Sequence, residues 1–286
     1  MQVGFSLDPR QGLSDVDELR LVRLGAELGY RSAWTPSGPD AAAFDRCIRW
    51  HRESGLPTGI SVAPASGQPA AFYAEHARRA WEETGGTFVL GVGSGGLTRA
   101  AESMRAYLEE LRSGLAAGQP VYAAALGPLM LRVAGELADG AALNWCSAEQ
   151  ARWSRELVER AAEGAGRPAP VVMSYIRTSV DPDAAAARRT LAEAALQYAL
   201  GPVAYRRHFE RMGFADELRR LESDAGAEPD PAFLAAAGAA GAPGEVGPRF
   251  ASLGADLDVA VVRVLVTRPG DAESARRALE ECRPAD

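Results

Sequence analysis

Leu126-Gly127-Pro128 stands between Val121 to Ala125, an apolar run of strand length, and a helical stretch that opens on the proline. Proline suits a first helical position because its missing N–H would have no partner inside the helix there. The free N–H groups of such a turn, reinforced by the helix dipole, seat an anion, so a cofactor phosphate is expected here. Taken alone, the same pattern describes an ordinary connection in a core-forming unit equally well. A second stretch, Gly91-Val92-Gly93-Ser94-Gly95-Gly96, presents nearly bare backbone directly after another apolar strand. Glycines there let a flat or phosphorylated ligand approach closely and leave N–H groups free for anions. Side by side, the two stretches would make one continuous cofactor wall.

The other candidates are polar or aromatic residues at the ends of strand-like runs: Ser6, Trp34 to Ser37, Ser61-Val62-Ala63-Pro64, Asn144, Trp145, Tyr175, Arg177 and Arg263. Tyr175 and Arg177 are candidate donors to a substrate. Trp34 and Trp145 read equally as core plugs, and Arg177 and Arg263 as solvated strand ends. No hydrolytic constellation accompanies them. The histidines, His51, His76 and His208, fall inside helical stretches, and the carboxylates are read as solvated helix faces. Cys47, Cys146 and Cys282 are widely spaced, so no metal site is expected. The chain contains no lysine, which excludes a lysine Schiff base and a P-loop lysine. Such a site leaves the reactivity to a bound cofactor.

The elements that would hold these residues alternate regularly. Strands are expected at Val3 to Leu7, Arg31 to Thr35, Thr58 to Ala63, Gly86 to Gly93, Val121 to Ala125, a run ending at Leu143-Asn144-Trp145, Val171 to Ile176, and Asp258 to Thr267. Helices follow each of them, beginning with Asp15 to Leu28, where Val16, Leu19, Val22 and Ala26 recur at helical spacing. Apolar strands, each followed by a helix, predict an α/β fold, a (β/α)8 TIM barrel, with function at the C-terminal ends of the strands. A doubly wound open sheet is the rival, but no G-x-G-x-x-G follows the first strand. Residues 1–286 read as one domain, with a helical insertion over 182–240 that covers the barrel mouth.

A net charge of −7 and a pI near 5.2 argue against nucleic-acid and anionic-membrane partners. With no signal-peptide pattern, no apolar run of membrane-spanning length and few cysteines, a cytoplasmic protein acting on a small molecule is expected.

Phe88-Val89-Leu90-Gly91-Val92-Gly93-Ser94-Gly95 resembles the strand-four signature of the bacterial luciferase-like family. Ala124 to Leu131, Leu137-Ala138-Asp139-Gly140 and Leu143-Asn144-Trp145 are similar to that family's most diagnostic block. The block looks most like the branch containing methylenetetrahydromethanopterin reductase and other deazaflavin enzymes. Leu28 to Trp34 and Tyr205 to Phe214 fit as well. The resemblance implies a barrel, commonly a homodimer, that binds coenzyme F420 or FMN at its mouth. It implies cofactor contacts from Gly93-Ser94-Gly95 and from Leu126-Gly127-Pro128, and Ser6 and Asn144, at strand ends, are further candidates for cofactor contacts. It also implies a bulge at Ser61-Val62-Ala63 buttressing the ring, with Ser61-Val62 the candidate for a non-prolyl cis peptide.

Departures from the family pattern narrow the chemistry. Where alcohol and sugar-phosphate dehydrogenases of the family place an Asp-His pair after strand two, this chain has Thr35-Pro36-Ser37-Gly38. Gly96 stands at the glutamate position after strand four, and Ser6 at the glutamate position of the methanopterin reductase. With three proton-handling positions vacant, an enzyme that must deprotonate an alcohol is disfavoured. The leading expectation is a reductase carrying hydride from reduced F420 to a small organic acceptor. The alternatives are an FMN monooxygenase of luciferase-like type, supplied with reduced cofactor by a separate reductase, and a non-catalytic flavin-binding homologue.

Overall fold

The structure, a computed structural model, describes residues 1–224 and 226–285. Eight parallel strands close into a barrel: β1 (Gln2–Ser6), β2 (Ala33–Thr35), β3 (Thr58–Pro64), β4 (Val89–Gly93), β5 (Val121–Ala124), β6 (Gly140–Asn144), β7 (Val171–Val180) and the last strand of the chain. A short β8 (Gly238–Gly241) pairs with Arg177–Val180 at the upper end of β7, and β9 (Val259–Val264) then closes the ring between β7 and β1. The expected eighth strand is therefore the ninth. The stretch expected to be a helical insertion over 182–240 ends in a strand, because the long β7 runs past β6 and exposes an edge that β8 pairs with.

Parallel strands buried on both faces need continuous apolar runs, and all six residues of β9 are buried. The barrel interior is plugged by Trp34, Tyr122, Ala142, Met173, Tyr175, Val259 and Val261. Around the ring stand α1 (Asp15–Glu27), α2 (Ala42–Ser54), α3 (Ala70–Glu83), α4 (Ala100–Gly114), α5 (Pro128–Leu137) and α6 (Ala148–Gly164). The insertion contributes α7 (Ala184–Ala199), α8 (Val203–Phe209), a π-helical turn over Glu210–Phe214, α9 (Ala215–Ser223) and α10 (Pro231–Ala237). Then α11 (Val246–Gly254) and α12 (Ala272–Glu281) complete the outer layer.

Local signals set many of these boundaries. Ser14 and Ser147 accept from the N–H groups of Asp17 and Gln150, capping α1 and α6 where the sequence places helix starts. The face of α1 differs from expectation. Val16 is exposed, and Glu18, Leu21, Val22 and Gly25 turn inward. Glu18 is tolerated there because Arg46 of α2 pairs with it, and Gly25 because the Phe5 ring fills the space where a Cβ would stand.

The insertion has its own apolar cluster, in which Leu191, Ala195, Ala199, Phe209, Leu218, Phe233 and Ala237 pack on Trp145 at the end of β6. That anchor places α7 and α8 across the C-terminal ends of the strands.

Candidate active site at the barrel mouth

Gly127 is the N-cap of α5 and makes no side-chain cap bond; Pro128 is the first helical residue, and the first turn carries no acid. Gly127 has φ −118°, a conformation any residue adopts, and a Cβ there would meet only Arg211 Nη2, 3.8 Å away. Neither backbone nor packing requires a glycine, so its bareness leaves a cradle at the positive end of a helix. Arg211, on the π-helical turn, donates to the Leu126 carbonyl at 2.9 Å and brings a guanidinium to the same place. These features fit a phosphate.

The second stretch behaves differently. β3 and β4 shift register between Ile60 and Ala63, and the Ser61-Val62 peptide is cis, as the resemblance implies. A Cβ at Gly93 would lie 2.9 Å from Val62 Cγ2 and 3.1 Å from Ala124 Cβ. Gly93 is bare to admit the bulged Val62, so the space it leaves is taken by protein. Ser61, Val62 and Ser94 are half-buried, Ala63 is buried and Gly95 is exposed in the left-handed region. Together they form a low, side-chain-poor wall beside β5.

The opposite side of the mouth is polar and cationic. Ser6 of β1, Arg263 of β9 and Arg177 of β7 lie in register on adjacent strands. Both arginines are about 95% buried, which overturns their reading as solvated strand ends. Arg263 donates to Ser6 Oγ at 2.7 Å and pairs with Asp8, just beyond β1. Asp8 also holds Arg10 at 2.7 Å. Burial works to raise the Asp8 carboxyl, but the Arg10 hydrogen bond and the Arg263 charge outweigh it and hold the group below the usual carboxylate range.

Among the described residues no carboxylate pairs with Arg177. It donates to Asn144 Oδ1, and its guanidinium carbon lies 4.1 Å from the Trp145 ring centroid, with the rings of Tyr198 and Tyr175 at 5.8 and 5.9 Å. Burial, with the charge of Arg263, pushes this guanidinium down to about 10. Asn144 in turn donates to the Tyr205 hydroxyl at 2.8 Å, tying β6 to α8. The Tyr175 hydroxyl lies near Ser6 and Ser61 but is buried without a hydrogen bond, and burial raises it, keeping it a phenol.

His208 and Cys146 complete the seam between barrel and insertion. His208 Nε2 is 2.9 Å from the Trp145 carbonyl and 3.8 Å from Cys146 Sγ. Burial lowers the imidazole and pushes the Cys146 thiol up to about 12, so both are neutral and the thiol is no nucleophile. Trp145, at φ 54°, holds the left-handed conformation that a bulky residue rarely takes.

The structure thus gathers Ser6, Ser61, Asn144, Tyr175 and Arg177 at the mouth, and places Leu126-Gly127-Pro128 on its rim beside β4. Sequence reasoning missed Asp8, Arg211, His208, Tyr198 and Tyr205. For Asp8 a signal existed: an arginine as the lone charge in an apolar strand, Val259–Val264, requires a partner. Carboxylates are thus not confined to solvated helix faces, and a helical histidine does reach the strand ends.

The chain thus forms a (β/α)8 barrel with a bulged third strand and an insertion over the mouth. Residues 102–260, more than half of the chain, match the model of the luciferase-like monooxygenase family, and the chain belongs to that family. No curated protein sequence matches the chain. Among solved structures, the coenzyme F420-dependent tetrahydromethanopterin reductase of Methanopyrus kandleri superposes with a TM-score of 0.70 at 16% identity, over 98% of this chain and 97% of its own. An F420-dependent secondary alcohol dehydrogenase in complex with an F420-acetone adduct gives 0.72 at 13%, over 99% of each chain. The oxygenating constituent of 3,6-diketocamphane monooxygenase from Pseudomonas putida, in complex with FMN, gives 0.62 at 14%, over 99% of this chain and 98% of its own.

Proposed function

We propose that this protein is a coenzyme F420-dependent reductase that reduces a small organic acceptor. The observation that carries the reading is the state of the acids at the mouth. Among the described residues the buried carboxylates are Asp8 and Glu18. Glu18 belongs to the α1–α2 packing, and Asp8 is committed to two arginines. No buried carboxylate is left to take a proton from an alcohol, whereas donors are plentiful, which suits an acceptor being reduced. The two F420 enzymes among the structural neighbours lend the reading support.

When bound, the deazaflavin supplies hydride. The residues of this chain position it: Gly127, the first turn of α5 and Arg211 hold the phosphate, and Ser61-Val62 buttress the ring. Tyr175, kept protonated, donates a hydrogen bond and orients the acceptor. Tyr198 and Tyr205, brought over the mouth by α7 and α8, exclude water. A homodimer, and a separate reductase that restores the reduced cofactor, belong to the same reading.

Titration with F420 and with FMN, followed by absorbance and fluorescence, tests it. Tight F420 binding with negligible FMN binding is expected. FMN binding without F420 binding would replace the proposal with a monooxygenase, and binding of neither would leave a non-catalytic homologue.

A further inference from the structure

We propose that the acceptor is a small organic carboxylate, and that Arg177 is the counter-charge that binds it. This rests on the function proposed above and names the substrate class of that same site.

A buried guanidinium persists at tolerable cost when it is paired and its N–H groups are satisfied. Arg263 meets that condition through Asp8 and Ser6. Arg177, equally buried and in register beside it, does not: its hydrogen bond goes to the neutral Asn144. The rings around it offer quadrupoles but no net charge. Of the two buried guanidiniums at the mouth, Arg263 has Asp8 as its acid and Arg177 has none among the described residues, so the buried pair carries an excess of positive charge.

The neighbouring groups without partners ask for the same ligand. Trp145 Nε1 and the Tyr175 hydroxyl are buried and unbonded. An indole N–H can only donate, as can a guanidinium, and a phenol held protonated has its O–H to give. A ligand that satisfied them must bring acceptor oxygens and negative charge. Trp145 packs against the guanidinium at 4.1 Å, with Tyr198 and Tyr175 also beside it, so the flat fork is left to be paired in its own plane. A planar carboxylate matches that fork with two parallel hydrogen bonds. Tyr205, held by Asn144, and Tyr198 roof the place and keep water from competing.

The test uses benzoate and its uncharged analogue benzamide as probes, titrated calorimetrically into wild-type protein, Arg177→Gln and Arg177→Lys. Each is measured both cofactor-free and with F420 present. Benzoate should bind wild type at least about tenfold more tightly than benzamide. Arg177→Gln should lose that preference with benzamide affinity unchanged, and Arg177→Lys should keep part of it. Equal binding of the two probes, no benzoate binding to wild type, or undiminished benzoate binding to Arg177→Gln would each overturn the proposal. Loss of F420 affinity in Arg177→Gln with benzoate binding intact would assign the charge to the cofactor and also overturn it. If Arg177→Gln fails to fold, the wild-type preference and its reduction in Arg177→Lys decide. The cofactor-free titrations read the anion site even if F420 itself does not bind, so failure of the function reading is seen separately.

Discussion

Replacing Asp8 by Asn tests the central electrostatic claim about the mouth. The Asp8 and Arg263 side chains are 6% and 5% exposed, so the substitution leaves a buried guanidinium without its counter-charge. Breaking such a pair from one side costs about 3–5 kcal/mol. Arg10 is 72% exposed and its share of the interaction adds at most ~1 kcal/mol. Ser6 Oγ stays in place as an acceptor, and the new amide oxygen can accept as well, so the lower end, about 3 kcal/mol, is expected. Across 286 residues the unfolding entropy amounts to about 0.6 kcal/mol/K, which converts this loss to a melting temperature lower by about 5 °C. Since the Asp8 carboxyl is held below its ordinary value, its stabilisation is complete above pH ~3.9 and is lost as pH falls through the native value. The penalty is therefore full at pH 7 and shrinks in acid. Thermal melts of wild type, Asp8→Asn, Arg263→Met and the double variant provide the assay. The double variant should be more stable than Asp8→Asn alone, because it removes the orphaned charge. A single-variant shift under about 1 °C, or a double variant no better than the single, would refute the reasoning.

Gly127→Asp places a carboxylate where the phosphate is expected; cofactor affinity should fall at least about tenfold in a fluorescence titration. An aspartate replacing glycine at an N-cap strengthens a helix by only about a few tenths of a kcal/mol, so the melt should hold, separating binding from folding. Gly93→Ala drives a methyl group against Val62 and Ala124 and should cost about 1–3 kcal/mol in denaturant unfolding. Burial lowers His208, so the unfolded chain takes up its proton first, near pH 6.5. Stability should then fall as pH drops below that value, by at most ~1.4 kcal/mol per pH unit. His208→Gln should flatten that limb of the stability profile.

The sequence made the barrel and its rim legible where the cause is local. An apolar run, Leu126-Gly127-Pro128 and a helix need only neighbours in the chain to become a strand, a turn and a free helix N-terminus. The bulge at Ser61-Val62 was legible only through the family resemblance, because it is a register shift against the neighbouring strand β4. Reading failed where a residue's role depends on distant partners. Helical spacing puts Val16 inside, yet Val16 faces solvent and Glu18 turns inward, where Arg46 of the next helix pairs with it. Gly93 reads as a ligand-facing glycine, yet the bulged Val62 from the neighbouring strand occupies its space. β8 escaped notice because Gly238-Ala239-Ala240-Gly241 has no strand pattern of its own and borrows its conformation from the free edge of β7.

The sequence by itself therefore determined the eight barrel strands with their helices, the bare turn at the start of α5, and the absence of acids at the positions where the family keeps them. Tertiary structure alone decided the electrostatics of the mouth. Asp8 meets Arg263 across 255 residues, and Arg177 meets Asn144 and Trp145 instead of a carboxylate. A charge's burial and its partners are properties of the closed barrel, since only closure brings the first and last strands together and removes the water that would otherwise screen them.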